Sequence, residues 1–125
     1  MSNIHGIGVD QVNLNRVRKI LKKSKSKFEA RCFTNHEIEY ANKFNDPAKR
    51  LGARFAAKEA VMKSLGKGWR ELKWKEIEIT GGGKPLVKVY NNASDKVKEN
   101  KIDSIHVSLS HEDNKAIAFA ISEKK

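Results

Sequence analysis

Residues 51–65 read LGARFAAKEAVMKSL, and this stretch decides the architecture. Alanine recurs at 53, 56, 57 and 60, and alanine is the strongest helix former. Ahead of it, Asp46-Pro47 has the form of an N-cap followed by the first helical residue. Behind it, Gly66 or Gly68 should end the helix. Working upstream, Leu14, Val17, Ile20, Leu21 and Phe28 recur at helical spacing, which predicts an amphipathic helix over 13–30. Thr34 and Glu37 have capping-box spacing and open a second helix, with Ile38, Ala41 and Phe44 on its apolar side. Residues 4–9, IHGIGV, read as a short strand that ends at Asp10. Downstream the period drops to two. WKEIEIT (74–80) and LVKVY (86–90) flank Gly81-Gly82-Gly83-Lys84-Pro85 and should form a hairpin. A short polar helix is expected over 92–100. IHVSLS (105–110) puts Ile105, Val107 and Leu109 on one face and His106, Ser108 and Ser110 on the other. AIAFAIS (116–122) should pair back across His111-Glu112-Asp113-Asn114, with Ile117, Phe119 and Ile121 facing in. Strand, three helices, hairpin, helix and hairpin make an α+β domain, its helices packed on an antiparallel sheet.

The chain has 125 residues, 38% of them hydrophobic, and this predicts a single domain over 1–125 with one core. No apolar run is long enough to span a membrane. The start, MSNIHGIGVD, has neither a basic region nor an apolar segment of the kind that directs secretion. A single cysteine, Cys32, excludes an intramolecular disulfide framework and a CxxC metal site. An intracellular, cytoplasmic protein with no membrane partner is expected. Lys and Arg number 26 against 15 Asp and Glu, a net charge of +11. Such an excess predicts a polyanionic partner without choosing among nucleic acid, membrane surface, phosphorylated metabolite and acidic protein. Much of it lies on the first helix, where Glu29 is the only acid between residues 11 and 31.

Few residues carry obvious chemistry. Glu59 and Lys63 lie four apart on one face of the third helix, the spacing of an ordinary surface salt bridge. Lys58 beside them reads as a solvated charge. Asp10 follows Gly6 and Gly8, glycines that permit close approach of a backbone or a ligand; a carboxylate that caps the next helix is the plainer reading. Brought together by the fold, Asp10 and Glu59 would suit magnesium, which takes one or two protein carboxylates, waters and substrate phosphates. His111 sits at a turn, where histidines are often merely solvated. Ser108 and Ser110 lack a GxSxG setting. The glycines at 81–83 do not form a P-loop, since Pro85 follows Lys84. They read as a flexible hairpin tip or as a loop that brushes phosphate. Cys32 should be a small buried residue, and Trp69 and Trp74 should pack.

Four segments in order then point to a family: GIGVD (6–10) with Arg16, RFAAKEAVMKSLGKG (54–68), WKEIEI to GKP (74–79, 83–85), and VSLSHE (107–112). Together they resemble the small bacterial class of 4′-phosphopantetheinyl transferases, the holo-[acyl-carrier-protein] synthases, over residues 4 to about 121. The resemblance implies that fold, an α+β single domain, and a homotrimer with active sites between protomers. It implies transfer of the phosphopantetheine arm of coenzyme A to a serine of acyl carrier protein, with magnesium and with adenosine 3′,5′-bisphosphate as by-product. Asp10 and Glu59 match the magnesium ligands. Lys63 would stabilise or protonate the leaving phosphate, and Glu59 or a water on the metal would take the serine proton. Arg54, Lys63, Gly66, Gly83, Lys84, Pro85 and His111 would contact coenzyme A. Arg16, Arg18 and Lys22 would pair with the acidic carrier. Gln11 and Asn13 depart from the family pattern, which commonly has an aliphatic and an acidic residue there.

Two other classes fit parts of the sequence. A small nucleic-acid-binding protein is supported by net charge alone, with no RNP, zinc-finger or helix-turn-helix pattern. A non-catalytic adaptor that binds the carrier would dispense with Asp10 and Glu59, and both are present.

Overall fold

The computed structural model describes residues 3–68 and 70–125. Trp69, expected to pack beside Trp74, lies outside them. Along the chain run β1 (Asn3–Asn13), α1 (Leu14–Cys32), α2 (Asn35–Ala41), α3 (Pro47–Ser64), a 3-10 turn (Trp74–Glu76), β2 (Ile77–Ile79), β3 (Val87–Val89), α4 (Asn91–Glu99), β4 (Ile102–His111) and β5 (Lys115–Lys124). The expected order of elements holds, and the fold is α+β. β5 lies between β1 and β4, antiparallel to both, and β2 and β3 form a separate antiparallel ribbon.

α3 lies across one face of the three-stranded sheet. Its inner side is small: Ala56, Ala57, Ala60 and Ser64 are buried. The strands answer with Gly6 and Gly8 of β1 and with Ala116, Ala118, Ala120 and Ser122 of β5. A Cβ on Gly8 would fall 1.9 Å from the Ala60 carbonyl oxygen, and one on Gly6 would fall 2.1 Å from that of Ser64. The close approach that these glycines permit is therefore used by the backbone of α3. The Ser122 hydroxyl closes the seam by donating to the Ser64 carbonyl at 2.7 Å.

The start signals are borne out in part. The Thr34–Glu37 capping box is complete, and α3 ends at Ser64 with Gly66 at φ +75°. Pro47 opens α3, but Asp46 makes no side-chain cap; its carboxylate is taken by Arg18 of α1. Asn13, by contrast, caps α1 by accepting from the backbone of Asn15 and Arg16, so an amide serves where the family pattern often has an acid. α1 is kinked at Ser24, which leaves helical geometry at φ −144° and ψ 42°.

Four expectations are corrected. β1 does not end at Asp10 but runs on to Asn13, paired with β5 throughout. The stretch 74–80 opens with a 3-10 turn, and its strand covers only Ile77–Ile79. The inward residues of β5 are Ala116, Ala118 and Ala120, not Ile117, Phe119 and Ile121: Phe119 is 43% exposed and Ala118 is 0% exposed. The helix backbone sits too near this face for large side chains, so alternation sends them outward. Lys58 is fully buried, not solvated. Its Nζ lies 2.6 Å from Glu37 and donates to the carbonyls of Cys32 (2.7 Å) and Trp74 (3.1 Å). A buried ammonium persists only with such partners, and burial still pulls Lys58 below the usual lysine range.

Candidate active site

Asp10 and Glu59, far apart in sequence, meet where the Gly–Ala seam ends. β1 carries Asp10 one step past the close approach at Gly8, and α3 carries Glu59 just before Ala60. Burial, with a hydrogen bond to Asp10 and that neighbour's charge, pushes Glu59 up to about 7 against the pull of Lys63. Lys63 reaches over the pair. Its Nζ donates to the Val9 carbonyl at 2.9 Å and lies 3.6 Å from Asp10. The i,i+4 helix pair read from the sequence is thus a triad with β1, in which Lys63 forms its ion pair with Asp10.

Two neighbouring carboxyls are a hard-oxygen donor set, which suits a divalent cation such as magnesium. Among the described residues no group of three or more His, Cys, Asp or Glu side chains is placed to hold a metal. A metal at Asp10 and Glu59 would therefore draw its other oxygens from water and from substrate phosphate.

A second feature lies elsewhere on the molecule. Arg54, Gly83, Lys84, Pro85 and His111, separated by up to 57 residues in sequence, line one cleft of about 430 Å³. Arg50 and Tyr40 line it too, and the sequence reading did not single them out. Arg50 stands four residues before Arg54 on the same helix, a spacing that could have found it. Tyr40 could be found only from its contact with Arg54. The Arg54 side chain is nearly buried; its Nη2 donates to the Thr80 carbonyl at 3.5 Å, and its Nε has no hydrogen-bond partner. Several cations around one cleft, one with an unspent donor, can bind a phosphorylated ligand. The lining of this cleft includes none of Asp10, Glu59 and Lys63. Gly66 is also absent from it, exposed just beyond α3.

α1 presents a third surface. Arg16 and Lys22 are exposed. Arg18, expected in the same patch, has internal partners: Nη2 meets Asp46 at 2.7 Å and Nη1 donates to Asn15 at 2.8 Å. Its guanidinium holds the Asp46 carboxyl below the usual range. Beside the exposed lysines runs a groove of about 390 Å³, floored by Ile20, Phe28, Phe55 and Trp74 and edged by Lys27 and Arg31. Phe55 and Trp74 stack at 4.5 Å between ring centres. No described helix is long and apolar enough to cross a membrane.

Comparison with known proteins places these features in a family. The model of the 4′-phosphopantetheinyl transferase superfamily matches residues 6–120. A holo-[acyl-carrier-protein] synthase of Clostridium tetani is 42% identical over 122 residues, 96% of each chain. Among solved structures, the Plasmodium yoelii acyl carrier protein synthase with ADP bound superposes with a TM-score of 0.89 at 32% identity, covering 100% of this chain and 98% of that one. The Helicobacter pylori holo-[acyl-carrier-protein] synthase in complex with coenzyme A gives 0.80 at 32% identity, covering 93% and 98%.

Proposed function

We propose, from the premise that the chain belongs to the 4′-phosphopantetheinyl transferase superfamily and within it to the holo-[acyl-carrier-protein] synthases, that it moves the 4′-phosphopantetheine arm of coenzyme A to a serine of apo acyl carrier protein. The serine oxygen forms a bond to the β-phosphorus, the pyrophosphate link breaks, and adenosine 3′,5′-bisphosphate leaves. The observation that carries this reading is the meeting of Asp10, Glu59 and Lys63, with Glu59 pushed up to about 7.

Asp10 and Glu59 would hold magnesium together with a pyrophosphate oxygen of the coenzyme. When bound, the metal supplies positive charge that neutralises the phosphates at the reacting centre. Glu59, or a water on the metal, would take the proton from the carrier serine. Lys63, partly exposed beside Asp10, meets the charge that builds on the leaving phosphate. Gly66, one turn beyond Lys63 and without a side chain, leaves room for the coenzyme there. Arg54, Lys84 and His111, with Gly83 and Pro85, hold its adenosine end in the basic cleft.

Arg16 and Lys22 meet the acidic carrier and mainly speed its arrival, an effect that fades with salt. Arg18 contributes by bracing α1 against Asp46. Two observations support a homotrimer with shared sites. In one chain the carboxyl pair and the basic cleft are separate features. The outer sheet face also exposes Ile7, Val9, Ile117 and Phe119 as neighbours across β1 and β5, a patch of the kind that marks an interaction site. We place the reaction in the cytoplasm, in the service of fatty acid biosynthesis; the unpaired, buried Cys32 fits a reducing compartment.

The test is a mass spectrum of apo acyl carrier protein incubated with the chain, coenzyme A and magnesium, with and without EDTA. A gain of one phosphopantetheine on the carrier, absent with EDTA, is expected. Binding of plain duplex DNA without any such gain, or carrier binding without coenzyme A binding, would overturn the reading.

A further inference from the structure

The two arginines of the basic cleft rest on two aromatic rings. Arg50 and Arg54 are four residues apart on α3, and Tyr40 and Phe44 are four apart at the end of α2 and in the turn beyond it. The Arg54 guanidinium lies 4.6 Å from the Tyr40 ring centre, and that of Arg50 lies 3.9 Å from the Phe44 ring centre. The rings brace each other edge to face, 5.2 Å between centres. Tyr40 also meets the opposite wall: a Cβ on Gly81 would lie 2.6–2.7 Å from three carbons of its ring. The glycine loop therefore rests on the ring, directly after Thr80, whose carbonyl accepts from Arg54.

We propose that Tyr40 is the positioning residue of this cleft: its ring fixes the Arg54 guanidinium and the loop 81–83 relative to each other, and so sets the grip on the coenzyme's phosphates. Tyr40 meets Arg54 with its ring and its hydroxyl, and Glu37 is the nearby counter-charge. The Arg54 hydrogen bond to Thr80 is long, its Nε is unpartnered, and the ring is the surface on which the guanidinium lies. Aromatic faces attract guanidinium groups and orient them. The loop needs a support as well, because Gly82 and Gly83 have φ values of 79° and 127°, where glycine keeps its freedom. One ring thereby joins an arginine on a helix to a loop that carries Lys84 and Pro85. Tyr40 acts through these groups and needs no contact with the reacting phosphorus.

The inference rests on the cleft being the coenzyme site. Its test measures steady-state transfer, with coenzyme A and carrier varied separately, and calorimetry with coenzyme A. Tyr40→Leu is expected to raise the KM for coenzyme A about tenfold while kcat and the KM for the carrier stay within about twofold. Tyr40→Phe keeps the ring but loses the hydroxyl's contacts with Gly82 and the arginines, so it should recover most, not all, of the coenzyme KM, to within about threefold of the starting value. Gly81→Ala pushes on the same ring from the loop side and should reproduce the Tyr40→Leu signature. The proposal fails if Tyr40→Leu leaves the coenzyme KM unchanged, if it lowers kcat and raises both KM values in step with a lost melting transition, or if Tyr40→Phe is as impaired as Tyr40→Leu. An unaltered chain that does not bind coenzyme A at all would sink this inference and the reading of the cleft together.

Discussion

The two faces of one three-stranded sheet differ in the size of their side chains. Toward α3 the strands offer Gly6, Gly8, Ala116, Ala118, Ala120 and Ser122; away from it they offer Ile7, Val9, Ile117 and Phe119. Over β1 and β5 both faces are largely apolar and the larger residues are the exposed ones, whereas β4 packs Ile105, Val107 and Leu109 on the core and leaves His106, Ser108 and Ser110 exposed. Burial here follows the space that the helix backbone leaves, not the hydrophobicity of the residue. The inner face is packed within one chain, and at Gly6 and Gly8 no methyl group can be added. The outer face leaves large side chains in water, and a partner that covered them would gain about 25 cal/mol per Å² of apolar surface.

That contrast can be broken at its chemical end first. Glu59 stands where the inner seam runs out, and Glu59→Gln should lower turnover by about 10³-fold, the range for removing a general base, while circular dichroism stays unchanged. The same variant sharpens the electrostatic account. The folded state holds the Glu59 proton up to about pH 7, above the ordinary value of 4.5. Its favourable contribution is therefore complete below about pH 4.5 and is lost as pH rises through 7. Metal-free Glu59→Gln protein should lose less melting temperature than the unaltered chain between pH 5 and pH 8. An equal loss would remove Glu59 as the titrating group.

The next effect concerns the seam itself. Gly8→Ala must push the α3 backbone off β1, since the new carbon would meet the Ala60 carbonyl oxygen. Overpacking of this kind costs about 3 kcal/mol. A shift of about 1 Å between Asp10 and Glu59 should also cost about 10²-fold in rate. Urea denaturation and transfer assays measure the two losses. A Gly8→Ala chain with both values intact would mean that the close approach does not set the site.

The smallest effect on the single chain is expected on the outer face. Phe119→Asp should cost the monomer only about 1 kcal/mol, because the residue is 43% exposed and not part of the core. If the proposed trimer forms, sedimentation of this variant should fall from a trimer to a monomer, and transfer should fall with it. An unaltered chain that sediments as a monomer at working concentration would end the trimer reading.

Local features were legible in the sequence and facing was not. The capping box at Thr34, the proline at the start of α3 and the glycine past its end act through neighbours a few residues away, so their spacing was enough. The motif residues Arg54, Gly83, Lys84, Pro85 and His111 were found by resemblance, and the structure does bring them to one cleft. Alternation in β5 gave two faces without saying which was inward. That choice depends on the distance to α3, which no period in β5 encodes. Lys58 looked solvated because its counter-charge, Glu37, is 21 residues away on another helix. Tyr40 carried no local signal, since its role is defined by an arginine and a glycine from two other segments.

The buried Lys58 has a mechanical consequence. Its one nitrogen ties the last residue of α1, the middle of α2 and the turn before β2 to the helix that bears Glu59. The far half of α1 is therefore clamped to α3 at Cys32, and the near half is clamped at its other end where Arg18 grips Asp46. The Ser24 kink lies between the two clamps. Whatever takes hold of α1 is thus held in fixed alignment with the carboxyl pair, as a workpiece bolted at both ends stays true to the tool.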